Sequence, residues 1–576
     1  MSTRQFVAGW CLWLFLCPAL SGSGLNAESH SQSKVAGGND AHNTNTWFIR
    51  ADGGDRRQCT GKADAAYRGR GTRQACAFKH PYYLFTTDEP NNKAWIVQGG
   101  DTILIRGGPY RMGYKGPGQM DSWGSCPGDP YGCSMPPMRS GSAVHPTRLL
   151  GENFKNCNRK TELFGGYGLS FILDLSGSKN VDVECLELTD HSQCSEVGGA
   201  YAANERCNKS YPLSDYARAG IKTNDQTTGL LLKNMDIHGL TSRGIIGAIG
   251  GDVTADHVRI GFNGGAGWDF DDGKGTKSSQ DAVVHATYLT VEWNGCNEEY
   301  PKVHKVPVVG CFDQNSGGYG DGIGTPDTPL NFNCAHCAFR YNTQDGLDLL
   351  HVNGGELSVL NSTSYGNMGQ QWKMGPMRTV VFRNNVTVNN CRRLSAAMPG
   401  AREGYNRELS LFCRAAGDGI EMSIIDAGNY FFQNNSFAGY GATSYSISCL
   451  TRCSRAGIIF QNNLHVGYRD PVGGKPAAVF YTTGMPQNLF RVRDHNIYYQ
   501  MRSCPALKDE WCVNPGIASL PEWKGEASLD GIDFHLTRTS PARGTGVKIP
   551  EITADYDGVS RQGSQQSDIG AFSFSQ

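Results

Sequence analysis

Phe382-Arg383-Asn384-Asn385, Phe432-Gln433-Asn434-Asn435 and Phe460-Gln461-Asn462-Asn463 are near-copies of one phrase, and Leu360-Asn361 is a looser copy. Such a phrase ends a short strand on a tight bend, because asparagine tolerates left-handed backbone and hydrogen-bonds neighbouring main chain. The second asparagines, taken with Asn361, are 24, 50 and 28 residues apart. With repeats of roughly 20–45 residues, these intervals read as one, two and one coils of a solenoid. An asparagine returning at the same bend can form an internal ladder from coil to coil.

Outward from this repeat, the chain from about 168 falls into short apolar-alternating runs. Val181–Leu188, Gly229–Ile237, Val253–Ile260, Ala282–Glu292, Leu357–Ser362 and Thr379–Val388 are examples. No ten-residue helical pattern recurs between them, which argues against alternating strand–helix domains. Gly is 74 of 576 residues and charged residues only 19 %. That composition suits many short strands joined by many bends.

Two further stretches carry a resemblance. Gly100-Asp101-Thr102-Ile103-Leu104-Ile105-Arg106-Gly107-Gly108-Pro109-Tyr110 resembles the "GDTxxIxxGxY" opening of right-handed parallel β-helix proteins. Ser540–Gly546, Asp555–Gly558, Arg561 and Asp568–Phe572 resemble the tail of many exported β-helix proteins, which packs back along the helix. The expected fold is all-β: one right-handed parallel β-helix of the pectin lyase-like kind, with a disulfide-rich N-terminal region and a packed C-terminal tail. Residues 1–24 are expected to be a signal peptide, and 25–165 a leader, first strands and a long Gly/Pro loop. The helix core is expected over 166–500, with insertions at 297–320 and 391–417, and last coils plus tail over 501–576. Dividing the span by the repeat length predicts about ten to fourteen coils.

Residues 1–24 carry Arg4, an apolar run from Phe6 to Leu16 and small residues at Ser21–Gly24. The run is shorter than the roughly 20 residues a membrane span needs, so it reads as an export signal. An exported protein, extracellular or periplasmic, is expected. Two of the 20 cysteines, Cys11 and Cys17, fall in this leader, leaving an even number for disulfides. Cys59/Cys76, Cys126/Cys133, Cys449/Cys453 and Cys504/Cys512 are candidate local pairs. Cys334-Ala-His-Cys337 looks like half a zinc site, but no second CxxC follows it. A net charge of −1 gives no reason to expect nucleic acid or a membrane surface as partner, and a monomer is expected.

The chemistry concentrates between Asp321 and Lys373. Asp321 and Asp345 are 24 residues apart and Lys373 follows after 28, again coil intervals. Stacked on neighbouring coils about 4.8 Å apart, acidic oxygens and a lysine would share one wall. Gln344-Asp345-Gly346-Leu347-Asp348, with Asp321 before it and Trp372-Lys373-Met374-Gly375 after it, resembles polysaccharide lyase family 9. The resemblance covers about 315–395, with Gln344 standing where the family motif has its first aspartate. It implies calcium-assisted β-elimination of a pectate-like uronic-acid polymer. Asp321, Asp345 and Asp348 would hold Ca2+, Gln344 would offer a carbonyl oxygen, and Lys373 would be the base. Arg378 is a candidate for the substrate carboxylate. Arg392, Arg393 and Arg402, in the second insertion, suit an anionic ligand or simply form a solvated basic loop.

The physical logic is independent of the resemblance. Removing the C5 proton of a uronate spreads negative charge into its carboxylate, which a hard oxygen-bound cation stabilises. A lysine base must be neutral, yet free lysine titrates near 10.4. Burial and a nearby divalent ion lower that value, whereas bare aspartates raise it. Other readings stay open. Asp418 and Glu421, with Asp269 or Asp321, are candidate paired carboxylates of a glycoside hydrolase. An exported β-helix that binds glycan without cutting it is another. Trp268–Lys274 reads as a second cation site, a sugar-stacking surface or a solvated turn. His238, His257, His285 and His351 are expected in the core or in ladders.

Overall fold

The computed structural model describes residues 44–86, 94–113, 135–166, 169–192, 194, 216–271, 276–296, 298, 311, 320–324, 328–396, 413–449, 452–484, 486, 488–561 and 566–575. Its strands form three long parallel sheets of thirteen, twelve and ten members. From Leu173–Asp174 to Ala478–Thr483 successive strands pass from one sheet to the next, so each coil contributes one strand to each sheet and pairs with its neighbouring coils. This is a parallel β-helix. Among the described residues three short helices of the 3-10 kind, Pro81–Leu84, Arg414–Gly417 and Glu526–Gly531, and one four-residue α-helix, Arg393–Ala396, lie between the strands.

The period-2 pattern explains the core. In Thr379–Arg383, Val380 and Phe382 point inward while their neighbours stay partly exposed. Register then stacks equivalents: Val253, Val284, Phe332, Leu357, Val380, Tyr430 and Ile458 form one buried column along the thirteen-stranded sheet. Each such side chain contributes about 1.5–3 kcal/mol by leaving water.

The asparagine phrase lies at the bend between the thirteen- and twelve-stranded sheets. Its first asparagines, Asn384, Asn434 and Asn462, have φ of 52°, 54° and 57°. Its second asparagines make the ladder: Asn435 Oδ1 accepts the Asn385 N–H at 2.9 Å, Asn463 Oδ1 that of Asn435 at 3.1 Å, and Asn496 Oδ1 that of Asn463 at 2.8 Å. Two details differ from the sequence reading. The 50-residue interval is one coil, because Arg383 pairs directly with Gln433; the surplus residues fall between Cys391 and Cys413, which a disulfide joins. Asn361, at φ 48°, occupies the first position of the phrase, and Ser362 takes the ladder place, its N–H donating to Asn385 Oδ1 at 2.9 Å.

The C-terminal segment lies against this bend. Asn384 donates to the Ala554 carbonyl, Asn434 to that of Asp568 and Asn462 to that of Val547. Asp568 in turn accepts the Gly544 and Phe574 N–H groups.

Cys59–Cys76, Cys449–Cys453 and Cys504–Cys512 are bridged, and so are Cys157–Cys185, Cys296–Cys311 and Cys391–Cys413. Cys334 and Cys337 form a disulfide with each other, which removes them as zinc ligands. Cys126, Cys133 and residues 1–24 lie outside the described residues. Among the described residues no helix is long and apolar enough to cross a membrane. None of the four histidines singled out lies in the core, but His257 belongs to a ladder, stacked at the surface on Tyr288, which stacks on His336. His285 and His351 are exposed, and His238 bridges Glu187 and Glu298.

Candidate active site

The ten-stranded sheet builds the site through one alternation. In the strands Ile323–Gly324, Leu347–Leu349, Trp372–Met374 and Ile420–Ile424, the residues Ile323, Leu347, Trp372 and Ile420 stack inward and are fully buried. Their successors must therefore face outward. These are Gly324, Asp348, Lys373 and Glu421, in register on consecutive coils. A second set, Asp321, Asp345, Gln370 and Asp418, lies three residues earlier, where the chain turns into each strand.

Hydrogen bonds to the next coil orient the turn carboxylates. Asp321 Oδ1 accepts the Asp345 N–H at 2.9 Å, and Asp345 Oδ1 accepts the Gln370 N–H at 2.7 Å. Asp348 Oδ1 is fixed within its own turn by the Leu350 N–H at 2.9 Å. Each carboxylate is thus held through one oxygen. For Asp345 and Asp348 the other oxygen meets Lys373: its Nζ lies 2.7 Å from Asp345 Oδ2 and 3.1 Å from Asp348 Oδ2. The Arg414 guanidinium binds the same Asp345 oxygen. Asp345 is 0 % exposed and Lys373 5 %.

Three carboxylates facing two cations leave one negative charge over. Burial, reinforced by Asp345 and Asp348, pushes Asp321 far above the usual carboxylate range. Burial also raises Asp348, against the opposing pull of Lys373. For Lys373 burial alone favours the neutral amine, but Asp345 and Asp348 outweigh it and hold the ammonium above its ordinary value. The lysine is therefore protonated in this arrangement. Glu421, next after Lys373, and Asp418 beside it are both pushed up by burial.

The donor set fits a divalent cation. One oxygen from each of Asp321, Asp345 and Asp348 lies within 4.8 Å of the others. Oxygens sharing a calcium ion at about 2.3–2.6 Å can be no more than about 5 Å apart. Gly324 leaves the neighbouring strand surface bare: a Cβ there would lie 3.3 Å from Asp321 Oδ2. Gln370, after Asp345 in the turn column, keeps both side-chain amide atoms buried without a hydrogen-bond partner among the described residues. Buried orphan amides of this kind mark places where a ligand or water completes the structure.

Of the other residues singled out in the sequence, Gln344 is fully buried next to Asp345, its N–H bonded to the Gly320 carbonyl at 3.1 Å. Arg378 is exposed in the turn entering Thr379–Arg383, on a different sheet from Lys373. Arg392 pairs with Asp470 at 3.0 Å and Arg393 with Asp530 at 2.7 Å, contacts that tie the insertion's root to other parts of the fold. Arg402 lies outside the described residues, as do residues 272–275. Trp268 points into the core and Asp269 pairs with Arg243 at 3.0 Å.

Arg414 is the contributor that sequence reasoning missed. It follows Cys413, whose bridge to Cys391 closes the insertion, and its N–H bonds the Met368 carbonyl at 2.9 Å. A basic residue next to the cysteine that returns a long loop to the coil was the available signal. It was obscured by the arginines further inside the loop.

No protein-family model and no curated protein sequence matches the chain. Among solved structures it is similar to the pectate lyase Pel9A, with 13 % identity, a TM-score of 0.43, and coverage of 92 % of this chain and 98 % of that one. It is similar also to a rhamnogalacturonan lyase, with 12 % identity, a TM-score of 0.36, and coverage of 86 % and 97 %. A third is the Dettilon tailspike protein, with 10 % identity, a TM-score of 0.34, and coverage of 69 % and 60 %.

Proposed function

We propose that this protein is an exported, calcium-dependent polysaccharide lyase that cleaves a uronic-acid polymer by β-elimination, with Lys373 as the base. The observation that carries the reading is Lys373 in register with Asp348 and bonded across to Asp345, inside a carboxylate triad sized for one cation.

Asp321, Asp345 and Asp348 would hold the calcium, with Gln344 beside them as a neutral oxygen donor. Calcium bound there supplies a positive charge that offsets the triad and stabilises charge developing on the substrate carboxylate. Lys373 accepts the C5 proton. Its burial favours the neutral amine once Asp345 and Asp348 no longer hold the ammonium. Arg414, fixed by the Cys391–Cys413 closure, keeps Asp345 oriented and offers a cation to the uronate.

The test is ultraviolet absorbance of the unsaturated product over polygalacturonate, polyglucuronate and polymannuronate, with calcium or with chelator. A calcium-dependent rise that Lys373→Ala abolishes is expected. Reducing ends without absorbance would replace elimination by hydrolysis and move the chemistry to Asp418 and Glu421. Polymer binding with neither product would make the protein a glycan binder.

A further inference from the structure

Elimination also needs a proton for the oxygen that departs from C4, and the lysine has just taken one rather than given one. The group in register with Lys373 on the next coil is Glu421, on the same outward face of the same sheet. Neighbouring strands place the two side chains about 4.8 Å apart at their roots. Glu421 is half-buried, and the groups acting on it are Lys373, Asp345, Asp348 and Asp418. Ser446 follows it in register, and Asp418 is engaged by the Thr443 hydroxyl at 2.6 Å. Burial pushes Glu421 up, against the pull of the neighbouring Lys373 ammonium.

We infer that Glu421 is the general acid of the reaction, and that the substrate is a uronate whose C5–H and C4–O bonds lie on one face of the sugar ring. The inference rests on the lyase reading and narrows it. The C5–H bond breaks and its proton goes to the Lys373 amine. Its electron pair forms the C4–C5 double bond, the C4–O bond breaks, and the departing oxygen takes the Glu421 proton. The step leaves an ammonium at Lys373 and a carboxylate at Glu421, and a proton passing from one to the other through solvent resets both.

Stereochemistry follows from the single wall. A base and an acid side by side on one sheet reach a hydrogen and an oxygen only if both point toward that sheet. Gluco- and manno-configured uronates place the two bonds in that relation. Galacto-configured pectate sets them on opposite faces, so this geometry parts from the pectate-like substrate that the sequence resemblance implies.

The experiment uses the full chain with calcium and compares wild type with Glu421→Gln on two kinds of substrate. One is the polymer panel; the other is a gluco-configured uronide carrying fluoride at C4, since fluoride departs without a proton. Wild type is expected to act on polyglucuronate or polymannuronate in preference to polygalacturonate. Glu421→Gln is expected to lose about 10²–10⁴-fold on the polymer and to release fluoride within about two-fold of wild type, as loss of general acid catalysis alone requires. Fluoride release that falls together with polymer cleavage would overturn the acid role, as would a variant that cleaves polymer at the wild-type rate. A wild-type preference for polygalacturonate would overturn the same-face assignment. If wild type yields neither unsaturated product nor fluoride, the lyase reading itself fails; a failure confined to Glu421→Gln leaves that reading standing.

Discussion

Among the buried polar ladders of the described residues, two are built from coil to coil to opposite ends. At one bend Asn385, Asn435, Asn463 and Asn496 pass hydrogen bonds from coil to coil, and each amide also finds a backbone carbonyl: Asn385 that of Val359, Asn435 that of Phe382, Asn463 that of Phe432. On and beside the ten-stranded sheet Asp321 stacks with Asp345 in the turns and Asp348 with Lys373 in the strands, again at coil spacing, but these residues are charged. A neutral amide carries both donor and acceptor, so a ladder of amides can satisfy itself. Carboxylates only accept, and three of them buried with two cations carry one surplus negative charge, which raises the affinity of Asp321 for a proton. The first ladder closes on itself and is structural. The second is the site at which the proposed function puts its cation.

The largest effect expected from breaking this comparison is at Lys373. Lys373→Ala should lower elimination by about 10²–10⁴-fold, the usual range for a positioned base, measured as the initial rate of absorbance gain. The same substitution removes a cation from among carboxylates. Calcium affinity measured by titration calorimetry should therefore hold or rise while catalysis is lost. Falling affinity and falling rate together would show Lys373 to be a structural partner of the triad.

Asp345→Ala comes next, because Asp345 is the oxygen that Lys373 and Arg414 share. Removing one partner of a buried ion pair costs about 3–5 kcal/mol, and here two cations lose theirs. Chemical denaturation should show that loss, and calcium should no longer raise the wild-type-like stability. For wild type, calcium at about 100 times its dissociation constant should add about 2.7 kcal/mol, and chelator should remove it.

Asn435→Ala tests the closed ladder. It leaves the Asn385 N–H and the Phe382 carbonyl without their partners, at about 1–3 kcal/mol for each buried group so exposed. Stability should fall, while the calcium increment and the pH dependence of the rate stay at wild-type values. A changed calcium increment would mean that the two ladders are coupled through the core, and would erase the distinction between them.

How far the sequence could carry this reading depends on the same contrast. The asparagine ladder was legible because a fixed phrase must return wherever the same bend returns, and Phe382, Phe432 and Phe460 mark the inward column beside it. The 50-residue interval misled because sequence distance does not separate a second coil from an insertion; the direct pairing of Arg383 with Gln433 decides for the insertion. The acidic positions were legible as spacing. That Lys373 shares its column with Asp348 and Gly324, while Asp345 belongs to the turn column, depends on strand register, which a one-residue slip would invert. Glu421 was legible as a candidate carboxylate but not as the neighbour of Lys373, which register decides, and Arg414 owes its place to the loop closure, so no local motif announces it.

The smallest effect should come from the first asparagine of the phrase, which faces outward from the ladder. Asn384 sits at φ 52° and donates one hydrogen bond, to the Ala554 carbonyl in the C-terminal segment. Asn384→Gly removes that bond, worth about 0.5–1.5 kcal/mol, and relieves the left-handed backbone, where glycine carries no penalty. The two changes oppose each other, so global stability should move by less than about 1 kcal/mol. Local protection should move more. Amide hydrogen exchange near Ala554 is expected to quicken, because the C-terminal segment loses its contact with Asn384 there while those at Val547 and Asp568 remain. The control is Asn434→Gly, which removes a different anchor and should quicken exchange near Asp568 instead. If both substitutions loosen the whole segment equally, the tail docks as one unit and the repeated asparagine serves it collectively; if each acts only at its own contact, the tail is pinned coil by coil.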